Sequence, residues 1–403
     1  MSRLASLVSR FFLASFLLAS LALAQGAGQA GGQQPSEQRG FNADTAYQLG
    51  DIDHVNLFNG ALTLTVPLGP SYPVGPNFAF QLTLVYTSNG WDHEDATCNF
   101  NGMTQHYQVP IPEPNANAGF GWRVLPGRLG EPFLEGISYF PPDGGEIFFN
   151  EELHPGFPAE NAQPNTWFST DGTYLRLRLE TSGECVGGGT CYLLEKPNGV
   201  IHQFNNFASS GGHDWRLTRV SDRFAANHFI AYDYSMANKW VITDSRGRSY
   251  TVNFDAAGTV TSVALEAFES ATANTFTLSH TMRTIDRLNY FPTCDAGTAI
   301  PGQIQVPMLD SITQPDGTVY KMVYDTQSSS TVFSGVVRSL RLPTGGELEY
   351  DWRQITFVGD VPDLMGPENA RTSFGVSEKR MYAAFGDSAS LIGKWQYDYA
   401  DLS

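Results

Sequence analysis

One short unit recurs along the chain and restricts the fold more than any other feature. It reads as an apolar residue, two further residues, a Pro-x-Gly turn, then a strand rich in aromatic side chains. Phe140-Pro141-Pro142-Asp143-Gly144-Gly145 leads into Ile147-Phe148-Phe149, and Leu194-Glu195-Lys196-Pro197-Asn198-Gly199 into Val200 to Phe204. Ile312-Thr313-Gln314-Pro315-Asp316-Gly317 precedes Val319 to Tyr324, and Leu340-Arg341-Leu342-Pro343-Thr344-Gly345-Gly346 precedes Leu348 to Trp352. Asp244-Ser245-Arg246-Gly247 before Tyr250 to Phe254 is the same unit without its proline. Proline sets φ at the first corner, Asp or Asn tolerates the second, and glycine takes the left-handed position that closes a hairpin. The spacing between units is uneven, so the unit predicts a run of hairpins, not a strict solenoid.

The strands between these turns have period two. Leu62, Leu64 and Val66 alternate with Thr63 and Thr65, and Phe80, Leu82, Leu84 and Tyr86 with Gln81, Thr83 and Val85. Leu175, Leu177 and Leu179 alternate with Arg176 and Arg178, while His228, Ile230, Tyr232 and Tyr234 share one side of a further strand. Such alternation places one face on a core and the other in water. No amphipathic helix is legible after residue 45. Aromatics make up 13% and charged residues only 16%, enough apolar surface for a large core in 403 residues.

The N-terminus carries an export signal. Arg3 and Arg10 precede an apolar run from Phe11 to Ala24, and Ala22-Leu23-Ala24 presents the small-x-small pattern of a cleavage site between Ala24 and Gln25. The run is too short for a bilayer-spanning helix, and no later stretch qualifies, so no membrane span is expected once residues 1–24 are removed. Losing two arginines takes the net charge from −17 to −19. That surface repels phosphate backbones and anionic lipid, which argues against nucleic-acid partners. Residues 25–45 read as a flexible Gly/Gln-rich linker; the G-x-G-x-x-G match at Gly26, Gly28 and Gly31 lacks the strand and helix that dinucleotide binding requires. A secreted, periplasmic or cell-surface location follows.

Four cysteines in an exported chain favour disulfides. Cys185 and Cys191 flank a flexible Gly-rich loop and predict one bridge; Cys98 and Cys294 are left for a second by elimination. A zinc site is disfavoured by the absence of a C-x-x-C pair or a nearby histidine.

The sequence assigns no catalytic, cofactor or metal residue. No G-x-S-x-G, H-E-x-x-H or P-loop pattern is present. Asp92-His93-Glu94-Asp95 is the densest metal-capable cluster, read as a solvated acidic loop. His213-Asp214 are adjacent and so point to opposite faces of a strand, which does not make a dyad. His202 and His228 read as structural. A carboxylate pair suited to glycoside hydrolysis could form among 41 acidic residues. Trp91, Trp122, Trp167, Trp215 and Trp240 are the tryptophans that could stack on sugars if exposed, against core packing as the plainer reading.

The order of several short motifs resembles the N-terminal, pre-repeat region of bacterial RHS/YD-repeat proteins. These are Val55-Asn56-Leu57-Phe58-Asn59-Gly60 and its strand to Leu68, Leu82 to Asn89, Gly119-Phe120-Gly121-Trp122, Trp215 to Arg223, Tyr232-Asp233-Tyr234, Asp244 to Arg248, and Leu342 to Tyr350. The resemblance spans most of residues 50–400. It implies an exported β-rich scaffold whose hairpins build a shell, in some members around a toxic segment, with a protein partner or a downstream RHS segment. The chain departs from that pattern in lacking a dense array of regular YD repeats and the family's conserved core, and Trp395 to Tyr399 reads as the middle of a hairpin, which suggests a front piece of a longer protein.

The expectation is thus an all-β chain: a β-sandwich-like domain over 46–208, then a YD-shell-like series of antiparallel hairpins over 209–403. Its function is read as a non-catalytic structural or interaction scaffold; the rival is a secreted carbohydrate-binding module or glycoside hydrolase.

Overall fold

A computed structural model describes residues 38–41, 46–50, 52–130, 137–151, 163–181, 183–207, 214–267, 272–288, 294–295, 297, 299–325, 334–357 and 371–399. The cleavage site at Ala24 and Gln25, the Gly26–Gly31 match and most of the 25–45 linker lie outside them. The fold is all-β, with one 3-10 turn among the described residues, at Ser388–Ser390. No described helix is long and apolar enough to cross a membrane.

Strands β1 (Tyr47–Leu49), β2 (Asp53–Asn56), β3 (Leu62–Pro73), β4 (Ala79–Thr87) and β7 (Trp122–Val124) form one antiparallel five-stranded sheet in that order. Between its last two members, β5 (Trp91–Phe100) and β6 (Met103–Pro112) make a separate hairpin. Its tip is Asn101-Gly102, both at positive φ (52° and 79°), the pair that a two-residue turn between twisted strands demands.

The rest of the chain is a meander. It runs through β8 (Arg128–Gly130), β9 (Ile137–Phe140), β10 (Ile147–Asn150), β11 (Thr166–Ser169), β12 (Arg176–Glu180), β13 (Cys191–Glu195), β14 (Ile201–Asn206) and β15 (Trp215–Ser221). It continues with β16 (Phe229–Met236), β17 (Lys239–Asp244), β18 (Ser249–Phe254), β19 (Val260–Leu265), β20 (Asn274–Asp286) and β21 (Gln303–Thr313). Last come β22 (Val319–Tyr324), β23 (Val337–Arg341), β24 (Glu347–Phe357), β25 (Arg371–Tyr382) and β26 (Leu391–Gln396).

Strand β15 is a branch point. Its first residues pair with β8 (Trp215 opposite Leu129), and its last with β16 (Val220 opposite Ile230). The first pairing closes β8–β15 into a ring, and the second lets the sheet continue outward to β26. A ring of that size has room for its own side chains and little else. Tyr139, Phe149, Leu177, Leu194, Phe204 and Leu217 are buried in it. Pairing crosses residue 208 without a break, Asn206 lying opposite Trp215, so the sheet does not divide there.

The recurrent turns behave as their residues require. Gly199 (φ 79°) donates its N–H to the Lys196 carbonyl at 2.9 Å, and Gly317 (φ 83°) to Gln314 at 2.9 Å; Gly144, Gly247 and Gly345 repeat the geometry. Each glycine is the fourth residue of its turn and takes the left-handed conformation that a side chain disfavours.

The five-stranded sheet packs against later strands of the meander. Phe80 stacks on Tyr250 with ring centroids 4.1 Å apart. Trp122, fully buried, donates its indole N–H to the Tyr324 hydroxyl (2.9 Å), which donates onward to the Leu309 carbonyl (2.7 Å). Val337 donates its backbone N–H to the Tyr86 hydroxyl at 3.0 Å. The expected one-wet-face pattern fails here: Thr63, Val85 and Thr87 are buried along with Leu62, Leu64 and Leu84. The second face also carries Arg123, opposite Val85 in register, in a buried ion pair with Glu113 at 3.2 Å. Arg39 of the 38–41 segment is also buried there, donating to the Asn89 carbonyl at 2.7 Å.

Both cysteine bridges form, Cys185–Cys191 and Cys98–Cys294. The second fastens the β5–β6 hairpin to the meander beyond β20. Asp295 reinforces it by donating its N–H to the Asn99 carbonyl at 2.7 Å. Two disulfides fit an oxidising compartment.

Candidate functional site

The residues that the sequence singled out for chemistry do not converge. Asp92 to Asp95 lie on β5, in extended backbone, so successive side chains leave opposite faces. Asp92 is 3.8 Å from Arg39, and Asp95 bonds Gln108 across the hairpin. Among the described residues no three His, Cys, Asp or Glu side chains meet in a metal-holding group. His213 lies outside the described residues, and Asp214 pairs with Arg216 at 2.6 Å. His202 is buried in the ring beside the Tyr139 hydroxyl (3.5 Å), and burial holds its pKa well below the ordinary histidine value. His228 meets Asp222 at 2.9 Å inside the β15–β16 turn, where Asp222 also accepts the Phe224 N–H at 2.7 Å.

The proposed stacking tryptophans are structural. Trp91, Trp122 and Trp215 are buried, and Trp167 and Trp240 pack against the main core. Aromatics opposite one another across strands bury more apolar area than any other pairing, which is why the core recruits them.

Two clefts remain. The first lies at one end of the ring, among the turns holding Asp143, Asp171 and Lys196, with Phe41 and Tyr47 alongside; its volume is about 640 Å³. Burial raises the Asp143 pKa despite the Gly145 N–H on its Oδ1 at 2.9 Å, and burial lowers that of Lys196 despite the attraction of Asp143.

The second cleft, about 490 Å³, opens at the seam between the two sheets. Register builds it. Tyr350 of β24 lies opposite Lys379 of β25, which lies opposite Trp395 of β26, so the three side chains emerge side by side on one face. That face meets Asp53 of β2. Lys379 Nζ lies 2.6 Å from Asp53 Oδ2, and the Tyr350 hydroxyl donates to the same oxygen at 3.1 Å. The ammonium also sits 4.8 Å from the centre of the Trp395 ring. Asp53 and Lys379 are 3% and 5% exposed, a buried charge pair joining residues 326 positions apart in sequence. Nothing in the sequence around Asp53 or Lys379 marks them as partners.

No family model matches the chain, and no curated protein matches it. Solved structures similar to it include a TcdB2–TccC3–Cdc42 complex, at 12% identity and TM-score 0.26, over 84% of this chain and 16% of that one. A second is the Photorhabdus luminescens Tc holotoxin pore, at 13% identity and TM-score 0.27, over 89% of this chain and 16% of that one. A third is a porin-like protein from Bacteroides uniformis, at 8% identity and TM-score 0.22, over 79% and 97%. At such overlaps the function has to be argued from this chain's own residues.

Proposed function

We propose that the chain is an exported, non-catalytic scaffold in the RHS/YD style, its hairpin meander serving shape and protein contact. One observation carries this reading: among the described residues, the most deeply buried carboxylates are each engaged by the fold. Asp53 binds Lys379 and Tyr350, Glu113 binds Arg123, and Asp222 binds His228 and a turn amide. Asp244 accepts from Arg248 (2.7 Å) and Tyr250 (3.0 Å), Asp325 from Ser334 and Gly335, and Glu347 from the Gly386 N–H. A general acid or nucleophile needs a carboxyl that is not locked in an ion pair or a turn. Here the buried acids fix turns and tie sheets together. The N-terminal leader and the two disulfides support export.

The test is expression of the full chain in a bacterial host, followed by cell fractionation and intact-mass analysis. The expected product is extracytoplasmic, begins at Gln25 and has all four cysteines oxidised. A cytoplasmic chain retaining Met1, or substrate turnover abolished by replacing one of its carboxylates, would overturn the reading.

A further inference from the structure

We infer that the seam cleft floored by Asp53 and Lys379 is a binding site for a neutral saccharide, with Trp395 as its stacking platform. Its volume falls within the range of about 300–1,000 Å³ typical of small-molecule clefts. Three features select the ligand.

The first is charge. The floor holds one carboxylate and one ammonium already in contact at 2.6 Å, so the site presents no unpaired charge to an ionic ligand. A chain of net charge −17 further disfavours anions.

The second is hydrogen-bonding capacity of both signs in one place. A carboxylate offers about four acceptor positions and an ammonium three donors. Asp53 receives Lys379 and Tyr350 on one oxygen, and Lys379 has Asp53 as its hydrogen-bond partner. Both groups line the cleft with capacity left over, in a place where an unused donor or acceptor costs stability. A hydroxyl, donor and acceptor at once, satisfies both. Gln314 and Thr344 add neutral polar groups at the rim.

The third is the platform. Trp395 is a partly exposed tryptophan in a cleft whose remaining lining is Tyr320, Met381, Gln48 and aliphatic side chains. Lys379 lies over one face of its ring, and Gly393 leaves room at the six-membered end: a Cβ at 393 would fall 2.5 Å from it. A flat, pre-positioned indole beside hydroxyl-binding groups suits a pyranose, whose axial C–H groups form an apolar face and whose edge carries hydroxyls.

This inference does not rest on the scaffold reading: an exported chain without glycan affinity fails only here, and a glycan-binding chain found in the cytoplasm fails only there. The experiment screens the purified, disulfide-bonded mature chain on a glycan array. Calorimetric titration follows, with hexasaccharides of β-1,4-glucose, α-1,4-glucose and β-1,4-N-acetylglucosamine. At least one saccharide is expected to bind, with affinity falling about tenfold or more in Trp395→Ala. Trp395→Phe should recover most of it, and Tyr174→Ala, 82% exposed and outside this cleft, should change nothing. If Trp395→Ala alters the circular dichroism, Gly393→Ala takes its place, since it displaces the ring without removing it, and it too must weaken binding. No binding to array or hexasaccharides, or binding indifferent to these changes in a folded protein, overturns the inference.

Discussion

The five-stranded sheet and the meander are built on opposite principles. Hairpins hold the meander: nearly every strand pairs with its sequence neighbours, and each recurrent turn is closed by its own glycine and carbonyl. The five-stranded sheet is held by partners far along the chain, Asp53 by Lys379, Trp122 by Tyr324 and Tyr86 by Val337. The difference shows that local turn chemistry can write a long sheet, whereas its curvature and closure depend on an inner layer to pack against. Damage at the seam should therefore cost far more than damage at a turn.

The largest expected loss is at the longest cross-link. Cys98–Cys294 spans 196 residues and Cys185–Cys191 spans 6, so chain entropy assigns them about 5 and about 2 kcal/mol. Urea titration of the Cys98→Ala/Cys294→Ala and Cys185→Ala/Cys191→Ala variants should rank them in that order. Equal effects would break the contrast between distant and local ties. Next comes Lys379→Met, which strands Asp53 as a buried, unpaired charge and should cost about 3–5 kcal/mol in the same assay. A loss within error would mean that the seam is wet and loosely closed.

The turns set the small end of the scale. Gly317→Ala places a side chain at φ 83° in open space, so only backbone strain is added, about 1–2 kcal/mol. A larger loss would show that the hairpins cooperate more than their local bonds imply.

The pH dependence is a subtler probe of burial in both sheets. His202, His54 and His280 all have pKa values lowered by burial. Above the ordinary value of 6.5 each is neutral whether folded or unfolded and contributes no slope. Below it the unfolded chain takes up protons that the folded chain resists, so stability falls as pH drops from about 6.5 toward the native pKa values. Thermal unfolding between pH 7.5 and 5 should show this decline, and His202→Gln should flatten it.

What was legible in the sequence follows the same division. The Pro-x-Gly units and alternating strands marked the meander because each states its structure within about ten residues. The Cys185–Cys191 loop was readable for the same reason, and Cys98–Cys294 followed by elimination. Alternation misled at Thr63 and Val85, because a strand covered on both faces can keep polar residues on its second one. The five marked tryptophans pack against the core, as the plainer reading of the sequence holds. The sequence does not mark Trp395 as a binding residue, because that role depends on register with Lys379 and on a glycine two residues before it. Asn101-Gly102, by contrast, carries a two-residue hairpin signal within the sequence itself.

Native-state hydrogen exchange on the intact, oxidised chain tests the central claim, that the meander is held closed by the sheet it packs on. Amides of Leu64 and Leu84 in the five-stranded sheet should exchange with the same opening free energy, and the same denaturant dependence, as those of Met308 and Tyr350 in the meander. A meander that stays protected after the five-stranded sheet has exchanged would contradict it.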